Sequence, residues 1–124
     1  MLINLSNHPS ANWSKEQQQA AQVYGTITDM PFPAIAPTFN SNVIKDLAEH
    51  FFIKVMSEFA THSDKPSAVH VMGEMTFAFT LIALLQKKDI TCLASTTERQ
   101  VEEQQGKKLV SFNFVKFRTY PKMF

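Results

Sequence analysis

Small polar and charged side chains cluster at three points of the sequence, each directly after a short apolar run that predicts a β-strand. Hydroxyl, amide and guanidinium groups, together with the N–H groups of a helix start, suit a phosphate-containing ligand. Only two arginines stand beside ten lysines, and the forked guanidinium is the side chain best adapted to phosphate. The candidate residues for such a site are Ser6, Asn7, His8, Gly73, Glu74, Ser95, Thr96, Thr97, Arg99 and Arg118.

Each candidate also has a purely structural explanation. Gly73 would leave room for backbone packing, and Glu74 would satisfy the dipole of a helix that begins beside it. His70 lies inside an apolar strand, where we expect a hydrogen-bonded core histidine that no ligand reaches. The remaining residues would form turns, caps or surface charges: Ser6, Asn7 and His8 after the first strand, and Thr96, Thr97 and Arg99 after the fourth.

Several familiar chemistries lack their sequence signals. No G-x-G-x-x-G follows the first strand and no P-loop is present, which disfavours a nicotinamide or flavin cofactor. No G-x-S-x-G nucleophile elbow occurs, and one cysteine with four scattered histidines gives no zinc spacing. Cys92 lies inside an apolar strand and is expected to be an inert thiol. We therefore predict neither a cofactor nor a metal.

Length and charge narrow the class of partner. A chain of 124 residues predicts a single domain, residues 1–124. Twelve Lys and Arg against eleven Asp and Glu give a net charge of +1, which is too small to hold a long nucleic acid by counterion release. A small anion held by a few well-placed groups remains compatible with this balance.

The sequence also predicts a cytoplasmic protein that does not enter a membrane. Cys92 is the only cysteine, so no internal disulfide can form, which is typical of a reducing compartment. The N-terminus has neither the basic region nor the apolar stretch of a signal peptide. The longest apolar run, Met75 to Leu85, is shorter than the roughly 20 residues that a membrane helix needs.

Hydrophobic spacing predicts alternating strands and helices. Ser14 caps the first helix with Gln17 three residues later, and Gly25 ends it. Ser41 or Asn42 caps the second helix. The predicted strands cover residues 2–5, 26–30, 68–72 and 90–94, the helices cover residues 15–24, 43–59 and 75–86, and loops cover residues 31–37 and 61–66.

The last part of the chain predicts a further strand with an irregularity. Residues 98–108 are polar around Gly106 and predict a connection, and residues 109–117 predict a strand. The apolar alternation shifts by one position between Phe114 and Val115, which is what a β-bulge produces.

This order of elements predicts an α/β fold with a mostly parallel sheet between two helical layers, completed by a C-terminal antiparallel hairpin or edge strand. Ligands of such folds bind at the carboxyl ends of the strands. The helix over residues 75–86 is apolar nearly all round, so we expect it to be buried or to meet a second subunit.

Four segments resemble one known family: residues 4–9 (NLSNHP), 70–74 (HVMGE), 94–99 (ASTTER) and 114–120 (FVKFRTY). They look like the small Rossmann-like accessory proteins of type III CRISPR antiviral systems, which are related to the ring nucleases that degrade cyclic oligoadenylate messengers. The resemblance spans nearly the whole chain. Lys116 is a departure, because relatives tend to carry arginine at that position.

The resemblance implies a homodimer that binds a ring similar to cyclic tetra-adenylate across its two-fold axis. It also implies metal-independent cleavage, in which a ribose 2′-hydroxyl attacks the adjacent 3′–5′ linkage. Arg99 and the helix start at Gly73 would then supply positive charge, and His8 or Glu74 would move protons. The ligand-binding residues would be Ser6, Asn7, Gly73, Ser95, Thr96, Thr97 and Arg118.

Two other functions stay open at this point. The protein could bind the messenger without cleaving it, as a sensor or buffer. It could instead be an interaction subunit whose apolar helix over residues 75–86 docks on another protein.

Overall fold

The computed structural model describes residues 1–62 and 67–124, and within them one sheet of five strands is packed against three α-helices. Of the loop predicted over residues 61–66, residues 63–66 lie outside the described part of the chain. The strands are β1 (Leu2–Ser6), β2 (Ile27–Asp29), β3 (Ala68–Met72), β4 (Thr91–Gln104) and β5 (Lys107–Thr119), and the helices are α1 (Lys15–Ala21), α2 (Ser41–Ala60) and α3 (Met75–Gln86).

The strand order is β2-β1-β3-β4-β5, with the first four strands parallel and β5 antiparallel to β4. Parallel neighbours need a crossover between them, and a segment that contains a helix makes each crossing. α1 packs on one face of the sheet, and α2 and α3 pack together on the other. The predicted three-layer α/β fold with a C-terminal antiparallel hairpin is confirmed, and it is consistent with a Rossmann-like domain.

Successive side chains of a strand point to opposite faces of the sheet, so each strand packs against both helical layers. Leu2 and Ala68 are buried under α1, whereas Ile3 and Val69 are buried under α2 and α3. All four have an exposed fraction of 0%. Parallel strands covered on both sides are normally apolar throughout, so any polar side chain on them needs an explanation.

α1 begins as its sequence predicts, and the helical segment ends before Gly25 as predicted, although α1 itself ends at Ala21. Ser14 is the N-cap, because its Oγ accepts a hydrogen bond from the N–H of Gln17 at 3.2 Å. The helical segment then narrows into a 3-10 turn at Gln22–Tyr24. Gly25 follows with φ of +82°, a conformation that glycine adopts without steric cost.

The cap of α2 differs from the prediction. Asn40 is its N-cap and makes no side-chain capping hydrogen bond, while Ser41 and Asn42 already belong to the first turn. The prediction that one of these two residues caps the helix is therefore wrong. The helical hydrophobic spacing that predicts this helix is confirmed, since the residues that α2 buries are Ile44, Ala48, Phe51 and Val55.

α3 is a largely buried helix with a small exposed apolar face. Met75 and Phe79 have exposed fractions of 82% and 65%. Phe79 also contacts the ring of Phe124 at a centroid distance of 6.0 Å. The apolar side chains that α3 buries are Phe77, Ala78, Leu81, Ile82 and Leu85.

β4 does not end where the sequence predicts. Its pairing with β3 stops at Leu93, but its pairing with β5 continues to Gln104, and a turn at Gly106 joins the two strands. Every residue from 98 to 113 is exposed. The predicted strand end at Ala94 is therefore wrong, because antiparallel pairing carries the strand beyond the core. We call residues 98–113 the hairpin arm.

The predicted β-bulge is confirmed. The register passes from Thr96 opposite Lys116 to Thr97 opposite Phe114, so Val115 has no partner on β4. Thr96 Oγ1 accepts a hydrogen bond from the N–H of Lys116 at 3.2 Å and donates one to its carbonyl oxygen at 3.0 Å. The hydroxyl thereby satisfies backbone groups that the bulge removes from the ladder.

Candidate functional site

Three polar side chains form a row across the α1 face of the sheet. Asp29 on β2 pairs in register with Asn4 on β1, and Asn4 pairs with His70 on β3. Asn4 and His70 are each only 2% exposed. We call these three residues the polar row. Burial of polar groups is costly unless hydrogen bonds replace their hydration, so each polar atom of the row needs a partner.

Asn4 meets this requirement with both ends of its amide. Its Nδ2 donates to Asp29 Oδ1 and to the carbonyl oxygen of His8, both at 2.8 Å. Its Oδ1 lies 2.8 Å from Ser6 Oγ, which donates to it, and 2.9 Å from His70 Nδ1. A carboxylate and a carbonyl can only accept, so the orientation of the amide is fixed.

His70 connects the row to β4. Its Nε2 lies 3.2 Å from Ser95 Oγ, and its ring meets those of Trp13 and Phe117 at centroid distances of 5.6 and 5.5 Å. Burial, and to a smaller extent the charge of nearby His8, together lower the pKa of His70 from 6.5 to about 4. The imidazole is therefore neutral at physiological pH. This agrees with the predicted hydrogen-bonded core histidine.

A pocket of about 710 Å³ opens over His70 at the carboxyl edge of the parallel strands. Small-molecule sites have volumes in this range, and this edge is where open α/β sheets bind ligands. His70 borders this pocket but is itself only 2% exposed, so the prediction of a buried, hydrogen-bonded core histidine is confirmed. The pocket is lined by Asn7, His8, Asn12, Trp13, Ser14, Gln17, His70, Met72, Gly73, Ser95, Thr97, Phe112 and Phe114.

The described residues that line this pocket include no Asp, Glu, Lys or Arg. Their polar groups are amides, hydroxyls, backbone groups and the imidazoles of His8 and His70. Three aromatic side chains, Trp13, Phe112 and Phe114, add apolar surface. Such a lining suits the base or the sugar of a nucleotide better than its phosphate, because a buried anion would lack a compensating charge.

Strand ends that the sequence predicts to share one edge do share it, because β1, β3 and β4 are parallel neighbours. Ser6 lies next to the pocket, in a smaller cleft of about 200 Å³, with its hydroxyl bonded to Asn4. The predicted site residues that line the pocket itself are Asn7, His8, Gly73, Ser95 and Thr97.

Gly73 has a packing role in addition to its place at the pocket. A Cβ at this position would overlap the ring of Phe32. That ring packs edge-on against Phe77, with 5.1 Å between the centroids. The glycine thus lets Phe32 close the core beside the start of α3.

Glu74 is the N-cap of α3. Its carboxylate accepts hydrogen bonds from the N–H of Phe77 at 2.9 Å, the N–H of Thr76 at 3.0 Å and the Thr76 hydroxyl. These hydrogen bonds, with that from Phe77 the largest contribution, lower the pKa of Glu74. The carboxylate occupies the two helix N–H groups that a phosphate would use, so this helix start offers a phosphate fewer free donors than the sequence predicts.

Thr96 and Arg118 lie on the other face of the sheet. Ser95 and Thr97 line the pocket, and Thr96 between them projects to the opposite side. Arg118 is paired with Ala94, which shares that side. Neither residue is therefore brought to the pocket, and the Thr96 hydroxyl serves the bulge.

Arg99 lies in the hairpin arm and not at a strand end. It stands directly opposite Phe112, on the same face of the ribbon as Thr97. Two residues of strand, or about 7 Å, separate it from Thr97. Arg99 does not line the pocket, but it is exposed on the ribbon face that forms the pocket wall.

Asn4, Asp29 and the aromatic wall of the pocket were not predicted from the sequence. Asn4 interrupts the apolar segment Leu2–Leu5, and His70 interrupts the segment Ala68–Met72. Two polar residues inside two buried strands were an available signal. What they do together depends on the register that sets them side by side, and no single strand encodes that register.

Among the described residues, no group of three or more His, Cys, Asp or Glu side chains is arranged to hold a metal. No helix there is long and apolar enough to cross a membrane. Cys92 is a buried free cysteine, and burial raises the pKa of its thiol to about 12. The prediction of an inert core thiol is confirmed, since the reactive thiolate does not form at neutral pH.

A family model described as "Uncharacterized protein MJ1673 family" matches residues 1–118. Neither a curated protein nor a solved structure matches this chain. Since the family match covers nearly the whole chain, the protein belongs to the uncharacterized protein MJ1673 family.

Proposed function

We propose that this protein is a metal-independent phosphodiesterase that binds and cleaves a cyclic oligoadenylate, as a cytoplasmic ring nuclease of type III CRISPR antiviral signalling. The observation that carries the proposal is the pocket at the carboxyl edge of the sheet, with aromatic walls and uncharged hydrogen-bonding groups. The proposal also rests on the sequence resemblance of residues 4–9, 70–74, 94–99 and 114–120 to that group of proteins.

The pocket lining fits a nucleoside. Base stacking on an aromatic side chain contributes about 1–3 kcal/mol per base, and Phe112 and Phe114 offer such surfaces, while Trp13 borders the pocket as a buried residue. Asn7 and Thr97 add hydrogen-bonding groups for the base edge or the ribose. About 710 Å³ matches one drug-sized ligand, which is less than a ring of four nucleotides. We therefore infer that two protomers share one ring.

The hairpin arm is the surface on which we expect the second protomer. A two-stranded ribbon with both faces in water is only marginally stable on its own. On its pocket side, Val101 pairs with Val110 and lies next to Phe112, with exposed fractions of 45%, 46% and 64%. This apolar stripe is continuous with the pocket wall, so a dimer formed on it would bring two pockets together.

Charge complementarity supports face-to-face packing of two arms. Arg99 and Glu103 flank Val101 symmetrically on the same face of the ribbon. A two-fold axis across the strands at Val101 would set Arg99 of each protomer against the partner's Glu103. Pairing through the β5 edges is less favourable, because the charged side chains of β5 are all positive: Lys107, Lys108, Lys116 and Arg118.

The proposed reaction is an in-line displacement within the ligand. A ribose 2′-oxygen attacks the adjacent phosphorus, the bond from phosphorus to the 5′-oxygen breaks, and a 2′,3′-cyclic phosphate and a 5′-hydroxyl result. The His8 imidazole at the pocket takes the 2′-hydroxyl proton and returns a proton to the 5′-oxygen. The His8 backbone is held for this role, because its carbonyl accepts from Asn4 and from Trp13 Nε1. Arg99 would stabilise the charge of the phosphorane from the dimer interface.

Incubation of the purified protein with cyclic tri-, tetra- and hexa-adenylate in EDTA tests this function. Liquid chromatography with mass spectrometry should detect linear products that end in a 2′,3′-cyclic phosphate. His8→Ala should lose cleavage and keep ring binding. His50→Ala is the matched control, because His50 is an exposed histidine on α2, on the other side of the sheet.

An intact ring after long incubation at high protein concentration would overturn the proposed cleavage. If the ring then binds in calorimetry, the protein is a sensor or buffer of the messenger. One observation favours this second function. Glu74 is engaged as a helix cap, and no carboxylate or ammonium group of the described residues lines the pocket. His8 would have to transfer both protons.

The exposed apolar face of α3 is the observation that favours a protein-interaction subunit. Met75 and Phe79 lie on the side of the sheet opposite the pocket, so a partner bound there would leave the pocket open. Absence of any ring binding, together with a monomeric protein in solution, would select this function.

A further inference from the structure

The hydrogen bonds of the polar row determine where each proton lies. Asn4 turns its Oδ1 towards His70, because both protons of Nδ2 are given to Asp29 and to the His8 carbonyl. His70 Nδ1, 2.9 Å from that oxygen, must therefore carry a proton. In a neutral imidazole the other nitrogen then has a free lone pair. His70 Nε2 is consequently an acceptor, and it faces Ser95 Oγ at 3.2 Å.

Ser95 has one hydroxyl proton and two neighbouring acceptors. Met72 Sδ lies 3.0 Å from Ser95 Oγ and also faces the Ser95 N–H at 3.3 Å. A thioether is a weak acceptor compared with an imidazole nitrogen. The imidazole nitrogen is the stronger of the two acceptors, and with either acceptor the single proton is engaged within the protein, so lone pairs of Ser95 Oγ are available to the pocket that Ser95 lines.

We propose that the polar row makes Ser95 Oγ a hydrogen-bond acceptor towards the pocket, so that Ser95 selects a ligand that presents a hydroxyl or amino donor there and disfavours a phosphate. His70 is a positioning residue in this arrangement, and Ser95 touches the ligand. The inference rests on the proposed function for its ligand class, in which the donor is a ribose 2′-hydroxyl or the adenine amino group.

Calorimetric titration in EDTA with three rings tests the selection. The rings are cyclic tetra-adenylate, its 2′-deoxyribose counterpart, and the cyclic tetra-inosinate in which a carbonyl replaces each amino group. Loss of one hydrogen bond should weaken one of the two analogues about tenfold relative to cyclic tetra-adenylate. In Ser95→Ala the difference in affinity between cyclic tetra-adenylate and that analogue should disappear. In Thr97→Val the difference should remain, even if this variant binds every ring more weakly.

Equal affinity of the wild type for all three rings would overturn the inference while leaving ring binding intact. A penalty that persists in Ser95→Ala would do the same. Two-bond 1H–15N NMR of the ligand-free protein at pH 7 decides the tautomer independently. Protonated Nδ1 and unprotonated Nε2 in His70 are expected, and the opposite pattern refutes the proton assignment. If no ring binds, the proposed function fails, and this spectrum alone decides whether the polar row acts as inferred.

Discussion

His70 couples the stability of the fold to pH. Its pKa is about 4 in the folded protein, against 6.5 for an exposed histidine. Above pH 6.5 neither the folded nor the unfolded state holds this proton, so His70 has no effect on stability there. Between pH 6.5 and 4 only the unfolded state binds the proton, so the free energy of unfolding falls as the pH falls, and the loss levels off below pH 4.

We expect the loss attributable to His70 to reach at most about 3 kcal/mol at pH 4. Urea unfolding at several pH values between 4 and 7.5 measures it. His70→Gln, which cannot titrate but can donate to Asn4, should show a smaller decrease in stability over this interval. His50→Gln is the matched control at an exposed histidine on α2, and an unchanged pH profile in His70→Gln would contradict the assignment.

Glu74 offers a second prediction at the residue scale, because a helix cap and a catalytic acid respond differently to substitution. Glu74→Ala should lower the thermal unfolding midpoint, since the N–H groups of Thr76 and Phe77 lose their acceptor. Ring binding and cleavage should be unchanged. Glu74→Asp should recover most of the midpoint, because aspartate is also a good N-cap. Lost cleavage in a Glu74→Ala protein of unchanged stability would instead identify Glu74 as catalytic.

At the scale of the elements, the sequence predicts most accurately those elements that bury apolar side chains. α2 has a buried stripe at helical spacing, and β3 is an apolar run of strand length, so both are recognised from the spacing of their apolar residues. The hairpin arm has no buried face. Its β4 portion, residues 98–104, is therefore mostly polar on both sides and has the composition of a loop, although it forms a regular strand.

The site was predictable only in part, for a related reason. Residues at strand ends, such as Asn7 and Ser95, could be found because parallel strands end at one edge. Asn4, Asp29 and Phe112 could not, because their roles come from pairing between segments far apart in sequence. Periodicity within a segment carries no information about the register between segments.

The β-bulge gives a prediction for the base of the hairpin arm. Thr96→Val keeps the shape of the side chain but removes both hydrogen bonds to the Lys116 backbone, so we expect the free energy of unfolding to fall by roughly 1 kcal/mol. Thr97→Val, at the next position on the opposite face, should cost clearly less. Chemical denaturation of the two variants measures the difference, and equal losses would mean that Thr96 does not support the bulge.

At the scale of the whole molecule, the arm-to-arm dimer can be tested by charge reversal. Arg99→Glu and Glu103→Arg should each weaken the dimer, by about tenfold if both symmetry-related ion pairs are replaced by repulsion. The double variant should restore it. Sedimentation velocity at low ionic strength over a range of protein concentrations gives the dissociation constants, because salt would screen exposed pairs.

Val101→Glu is the stronger test of the same surface, because it places a charge at the centre of the apolar stripe. It should yield monomers, while Met75→Glu on α3 should not. A wild-type protein that stays monomeric at high concentration would refute the dimer, and with it the shared ring site. Dissociation by Met75→Glu alone would move the interface to α3.

The polar row also has a consequence for how the chain finds its strand register. Side chains repeat every two residues along a strand, so a two-residue slip of β1 against β3 would keep every apolar residue on its own face. Hydrophobic burial therefore discriminates poorly against that slip. Asn4 would then stand opposite Ala68 or Met72, and the hydrogen bond between its Oδ1 and His70 Nδ1 would be lost, which leaves that buried imidazole nitrogen without its acceptor. The polar row that orients Ser95 at the pocket thus also disfavours the misaligned pairings of β1 and β3, which hydrophobic packing alone would tolerate.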